Sequence, residues 1–248
     1  MHIKNIFRQG AVALATVCAF GASQASMVFI SGSDALGLHG DADYVNPVVN
    51  QLISGAGLNK VLVVGSTSLN YTSGGATLVF GSGALGTQTL SDYEAIIFAS
   101  PCCSDPAARL GARGADVAAF VAAGGGIYIE DYQGSAAWDP IVGIPAGAGA
   151  ASVIDMLTCI DPGVSTAAGI AFGFAPSYTS GCFVHQSYKQ AFWAGQGFFA
   201  LQTKTDTTAW VTMARGFREP GTVPEPATMA LVGLALLGMG ASRHARRA

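Results

Sequence analysis

The stretch from Tyr93 to Gly134 constrains the fold most, because it places a strand, a capped helix, a helix stop and a second strand in immediate succession. Tyr93-Glu94-Ala95-Ile96-Ile97-Phe98-Ala99 reads as a buried strand. Asp105-Pro106 supplies an N-cap and a first-turn proline for a helix running to about Ala123, with Leu110, Gly114, Val117 and Val121 on its inner face. Gly124-Gly125-Gly126 stops that helix, and Ile127-Tyr128-Ile129-Glu130 forms the next strand, ending at Asp131. Strand, helix and strand in this order imply a right-handed parallel crossover, hence an α/β layer fold.

The flanking sequence extends the pattern. Met27 to Ile30 reads as a buried strand ending in the turn-rich Ser31-Gly32-Ser33-Asp34, and Asp43 to Ser54 as a helix with Tyr44, Val48, Leu52 and Ile53 on one stripe. Lys60 to Val64 is the next strand, and a Gly-, Ser- and Thr-rich excursion from Ser66 to Gly86 contains a short strand at Thr77 to Phe80. Beyond Gly134, Trp138-Asp139-Pro140 opens an irregular section. A short helix is expected at Ser152 to Leu157, strands at Ile170 to Phe174, Phe198 to Gln202 and Trp210 to Met213, and a turn at Gly195-Gln196-Gly197. The expected architecture is a flavodoxin-like three-layer sandwich with a mostly parallel sheet, plus an N-terminal signal helix and a C-terminal hydrophobic helix.

The motifs "DYEAIIFAS", "FVAAGGG" and "IYIEDYQG" make the stretch from Met27 to Gly134 resemble the class I glutamine amidotransferase-like superfamily, including its ThuA-like trehalose-utilisation relatives. The resemblance implies a cysteine nucleophile on the sharp turn after the strand that follows the glycines, with a base beside it. Here that turn reads Glu130-Asp131-Tyr132-Gln133-Gly134 and offers no thiol. Glutamine hydrolysis by that mechanism is therefore not expected. Cys102 and Cys103 follow the preceding strand and would need His185 brought close by the fold.

Both chain ends read as addresses. At the C-terminus Pro224-Glu225-Pro226 precedes an uncharged apolar run from Ala227 to Ala241 and then Arg243, His244, Arg246 and Arg247. As a helix those 15 residues span roughly 22 Å, short of a hydrocarbon core of roughly 30 Å. The basic cluster favours the cytoplasmic side, which leaves the preceding chain outside. This layout resembles the PEP-CTERM sorting signal of Gram-negative bacteria, and the resemblance implies cleavage near Pro224-Glu225-Pro226 by an exosortase. A similar tail occurs in proteins described as ice-binding. At the N-terminus Lys4 and Arg8, the apolar run Ala11 to Gly21 and Ser23-Gln24-Ala25 form a secretory signal cut after Ala25. The expected division is a signal peptide at 1–25, an exported α/β domain at 26–214, a linker at 215–223 and a sorting signal at 224–248.

Charge and cysteine usage follow from that division. Of 15 acidic residues only Glu225, and of 12 basic ones only Lys4, Arg8, Arg243, Arg246 and Arg247, lie outside Ser26 to Val223, which leaves 14 against 7 and a balance of −7. An acidic domain of this kind offers no basic patch for nucleic acid. Cys102, Cys103, Cys159 and Cys182 remain in an oxidising compartment and are expected to pair. A Cys102–Cys103 ring is strained, so cross-links from that loop to Cys159 or Cys182 are easier, and Cys159–Cys182 is the preferred bridge. No metal is expected on these thiols, because no cysteine pair has a two-residue spacer and only His39 and His185 supply imidazoles to the mature chain.

Candidate chemistry clusters where ligands sit in α/β sheets, at the carboxyl ends of strands. Asp34, His39, Asp41 and Asp43 follow the first strand, and Glu130 and Asp131 end another. Together they have the donors to hold a divalent cation or orient sugar hydroxyls, although each also has a bland role as turn former, helix cap or solvated charge. An EF-hand is excluded by spacing. Glu130 and Asp131 point to opposite faces and cannot pair with each other across a sugar. His185 suits either a buried hydrogen-bonded imidazole or a general base. Trp138, Trp193 and Trp210 suit either core or a sugar-stacking platform.

The sequence thus describes an exported, exosortase-processed surface or matrix protein with a non-catalytic amidotransferase-like domain. The alternatives are a secreted hydrolase or carbohydrate-active enzyme and, more weakly, an ice-binding protein, for which no short Thr-rich repeat appears. No cofactor is expected. The expected partners are signal peptidase, exosortase, the membrane through the C-terminal helix before processing, and extracellular polysaccharide.

Overall fold

Continuous apolar strands build the centre of the molecule. A computed structural model describes residues 27–39, 41–53, 57–81, 83–100, 105–132, 134–155, 163–177, 182–205 and 209–216. All of these belong to one compact unit, Ala25–Phe217. The expected signal peptide, the expected sorting signal, the two helices expected at the termini, Cys102, Cys103 and Cys159 lie outside the described residues. Among the described residues no helix is long and apolar enough to cross a membrane.

Strands β1 (Val28–Ser31), β2 (Lys60–Val64), β4 (Ala95–Phe98) and β5 (Gly126–Glu130) are buried along nearly their whole length, as parallel strands covered on both faces must be. With edge strand β3 (Thr77–Gly81) they pair in parallel in the order β3-β2-β4-β5-β1. Their alternate residues feed two cores. Phe29, Val61, Val63, Ile97 and Tyr128 meet helix α1 (Ala42–Leu52), whereas Val28, Ile30, Leu62, Ile96 and Ile127 meet helix α2 (Gly114–Ala122).

Beyond β1 the sheet changes character. β10 (Trp210–Arg215) runs antiparallel to β1, and β6 (Val153–Asp155), β7 (Gly163–Ser165), β8 (Ser187–Tyr188) and β9 (Phe199–Lys204) join through antiparallel pairs. Among the described residues the sheet is therefore mixed, with ten strands, and not mostly parallel as expected. The reason lies in the connections. A parallel return needs a crossover of a dozen or more residues, usually helical, and among the described residues the α-helices after β5 are α3 (Ala167–Phe172) and α4 (Gln190–Gly195), each of 6 residues.

Local sequence explains the other departures. The expected helix from Asp105 becomes two tight turns, Pro106–Arg109 and Gly111–Arg113, before α2, because Gly111 takes a left-handed φ of 55°. Asp105 still caps, accepting from Ala107 N at 2.8 Å. Ile170 to Phe174, expected as a strand, is largely the end of α3. Thr166 Oγ1 caps that helix by accepting from Gly169 N at 3.1 Å, and Gly173 ends it at φ 108°. Ser152 closes a tight turn and Val153–Asp155 is a strand, where a helix was expected. β10 continues through Arg215, the first residue assigned to the linker.

Candidate functional site

The carboxyl ends of β1, β4 and β5 bring three of the expected acidic residues to one rim, and each is already engaged. Glu130, 1 % exposed, ends β5. Its Oε1 accepts from Leu36 N at 2.8 Å and Gly37 N at 3.0 Å, and its Oε2 accepts from Ser100 N at 2.6 Å. One side chain thus ties the loop after β1 to the loop after β4. Loss of water around the carboxyl pushes its pKa up to about 8, against the pull of the three amides, and Asp34 adds to the rise.

Asp131, the next residue, serves the other side, as strand alternation requires. Its Oδ2 accepts from Gln186 Nε2 at 2.8 Å and Tyr188 OH at 3.2 Å, and its Oδ1 from Ser135 N at 3.1 Å. Burial raises its pKa to about 6. Gln186 and Tyr188 carry no sequence signal that would have paired them with Asp131.

Asp34 and His185 are joined by backbone zippering. Asp34 N donates to Phe183 O at 3.0 Å, His185 N donates to Gly32 O at 2.8 Å, and Ser33 bridges Val184. This register brings His185 Nε2 to 2.9 Å from Asp34 Oδ2. His39 Nε2 stands 3.2 Å from Oδ1, close enough for an ion pair but off the hydrogen-bonding axis, so that Oδ1 has no hydrogen-bond partner. The His185 ring packs against Tyr132, with centroids 4.7 Å apart, and His39 lies 4.2 Å from the Phe183 ring.

Other candidates go elsewhere. Asp41 is the N-cap of α1, accepting from Asp43 N at 2.9 Å, and Asp43 is exposed in the first turn. Trp138, Trp193 and Trp210 are all core residues, so they form no exposed sugar platform. Trp138 packs on Phe98, and Trp193 is edge-on to Tyr188 and Phe198. Cys182 is disulfide-bonded, and its partner lies outside the described residues, as does the expected partner Cys159.

A recess lined by Gly32, Ser33, Ser100, Glu130, Asp131 and Tyr132 has no room for a water molecule. A roomier surface cleft of about 390 Å³ lies apart from these side chains, between Ala42, Asp43, Asn46 and Pro47 on one side and Gly173, Phe174 and Ala175 on the other. Among the described residues no group of three or more His, Cys, Asp or Glu side chains is arranged to hold a metal. Among the described residues Asn59 is the one residue other than glycine with a left-handed φ, so neither Asp131 nor Tyr132 after β5 takes that strained conformation.

A second buried polar group lies one strand away. Thr212 Oγ1 donates to Gln202 Oε1 at 2.8 Å and lies 2.9 Å from Ser31 Oγ and 3.1 Å from Tyr44 OH, which in turn is 2.9 Å from Tyr128 OH. It links α1 to β1, β5, β9 and β10 inside an otherwise apolar core.

No curated protein and no solved structure matches the chain, so the likeness of the central domain to the amidotransferase-like superfamily rests on its three motifs alone. Residues 222–247 match the family described as the PEP-CTERM protein-sorting motif. The chain therefore carries a PEP-CTERM sorting signal, which marks it as an exported protein addressed to exosortase.

Proposed function

We propose that exosortase processing delivers a non-catalytic α/β domain to the cell surface or extracellular matrix, and that its strand-end carboxylates hold loops in place and perform no chemistry. The observation that carries this reading is the position of Glu130. It ends the strand after the glycines, where the amidotransferase resemblance would call for a nucleophile, and its oxygens are occupied by the amides of Leu36, Gly37 and Ser100. The recess beside it, between Gly32, Ser33, Ser100, Asp131 and Tyr132, does not admit a water molecule. Before processing, the apolar run at 227–241 holds the chain transiently in the inner membrane. The acidic mature domain then acts outside, among extracellular polysaccharide.

The test is a hydrolase screen of the mature protein, covering glutamine, amides and glycosides. The expected outcome is no turnover above that of a heat-unfolded control. Turnover abolished by Asp34→Asn or Glu130→Gln in a folded variant would establish the hydrolase reading instead.

A further inference from the structure

We propose that Cys182, His185 and Asp34 form a thiol-activating relay, so that the disulfide made by Cys182 exchanges with low-molecular-weight thiols instead of being an inert tie. His185 stands between the other two, with Nε2 2.9 Å from Asp34 Oδ2 and Nδ1 3.9 Å from Cys182 Sγ. An ionised carboxylate only accepts, so Nε2 carries the hydrogen and donates it, which leaves the Nδ1 lone pair facing the sulfur. Asp34 is a positioning residue in this arrangement, acting through the imidazole.

The ring has little freedom to turn away. Tyr132 covers one side of it, and the backbone on either side of the ring is fixed by the bonds to Gly32 and Ser33. Asp34 is 1 % exposed, and its Oδ1 has no hydrogen-bond partner, so the carboxylate is directed at the two imidazoles, His185 and His39. The groups facing the relay are thus Asp34 and His39 from the loop after β1, Glu130 from the end of β5, whose carboxyl feels the charge of Asp34, and Tyr132 just beyond it. Asp131 next to Tyr132 is engaged by Gln186 and Tyr188. Cys182 itself is half-buried.

The chemistry balances with two equivalents of such a thiol. The first, as thiolate, attacks the sulfur of the cysteine bonded to Cys182. A new S–S bond forms there, the old one breaks, and Cys182 leaves as a thiolate beside the imidazole, which stabilises it when Nδ1 is protonated. The second thiol attacks the mixed disulfide, leaving a reduced pair of cysteines and one molecule of oxidised small thiol. In the reverse direction Nδ1 accepts the Cys182 proton and generates the attacking thiolate. This reactivity stands apart from the non-catalytic reading of Glu130, since it uses none of the same atoms.

The experiment uses the full chain, purified in detergent and reduced with dithiothreitol. Iodoacetamide labelling of Cys182 is followed across pH 5 to 9 by mass spectrometry, peptide by peptide, with folding monitored by circular dichroism. In the folded chain the labelling midpoint should fall at least about one pH unit below the ordinary thiol value of about 8.5. In the same chain unfolded in urea it should return to that value. A folded His185→Gln variant should label like the unfolded chain, and if that variant does not fold, the comparison of folded and unfolded wild type decides alone. The same midpoint folded and unfolded, a folded His185→Gln variant with the wild-type midpoint, or unfolding of the wild type on reduction would each overturn the relay.

Discussion

Gly37 and Glu130 leave no room between them for a methyl group: a Cβ on Gly37 would stand 2.6 Å from Glu130 Oε2 and 2.7 Å from the Ser100 carbonyl oxygen. The glycine is required by close approach, since the carboxylate reaches two amides of its loop. Gly37→Ala should therefore destabilise the domain by about 1–3 kcal/mol in urea denaturation, as overpacking in a closed site does. Gly114→Ala, which meets nothing within 4 Å at the start of α2, should instead be neutral or stabilise by up to about 1 kcal/mol.

Glu130 also predicts how stability varies with pH. Its carboxyl moves from 4.5 to about 8 on folding, so between these values the folded chain holds a proton that the unfolded chain has released. The contribution is fully present below 4.5 and is lost as the pH rises through about 8. Asp131 acts in the same direction between 3.8 and about 6. The thermal midpoint should therefore fall between pH 5 and pH 8.5, and Glu130→Gln should flatten the upper part of that slope. An equal slope in the variant would show that Glu130 is ionised throughout.

The buried hydroxyl group around Thr212 should be costly to interrupt. Thr212→Val keeps the shape but leaves Gln202 Oε1, in a side chain 2 % exposed, without the donor at 2.8 Å. A loss of about 1–3 kcal/mol is expected, the range for stranding a buried polar atom. Tyr128→Phe removes a hydroxyl that meets only other hydroxyls, Tyr44 and Ser31, and should cost less, about 1 kcal/mol, measured the same way.

Replacing Pro224, Glu225 and Pro226 by alanine in a host that carries exosortase should leave the chain unprocessed and in the membrane fraction. Immunoblotting of fractionated cells checks this outcome. Processing at the wild-type rate would show that the residues matched at 222–247 are not read as a sorting signal.

The parallel half of the sheet was legible because its strands are short apolar runs bounded by turn residues. β2 lies at Lys60–Val64, where the sequence put it, and β5 begins one residue earlier than read. The other half was not legible. Ile170 and Phe172 suit a strand as well as a helix, and what decides is Thr166, whose hydroxyl caps Gly169 N, together with the packing of Gly169 against the Leu201 carbonyl. The candidate site was read in part. Asp34, Glu130 and Asp131 were found because turn and strand-end acids stand out, but Asp34 meets a histidine 151 positions away, and no spacing rule connects them. Cys182 and His185, three positions apart, were the one local hint of their proximity, and without a helix between them that interval alone says nothing.

The pairing of Val28 with Arg215 sets the first described strand beside the last, at their outer ends. The chain thus threads into the sheet and out of it at neighbouring points on one margin. By the same geometry, a short tether could close the two ends into a ring and a new opening be made in an exposed loop on the far side, leaving the ladder between β1 and β10 unbroken.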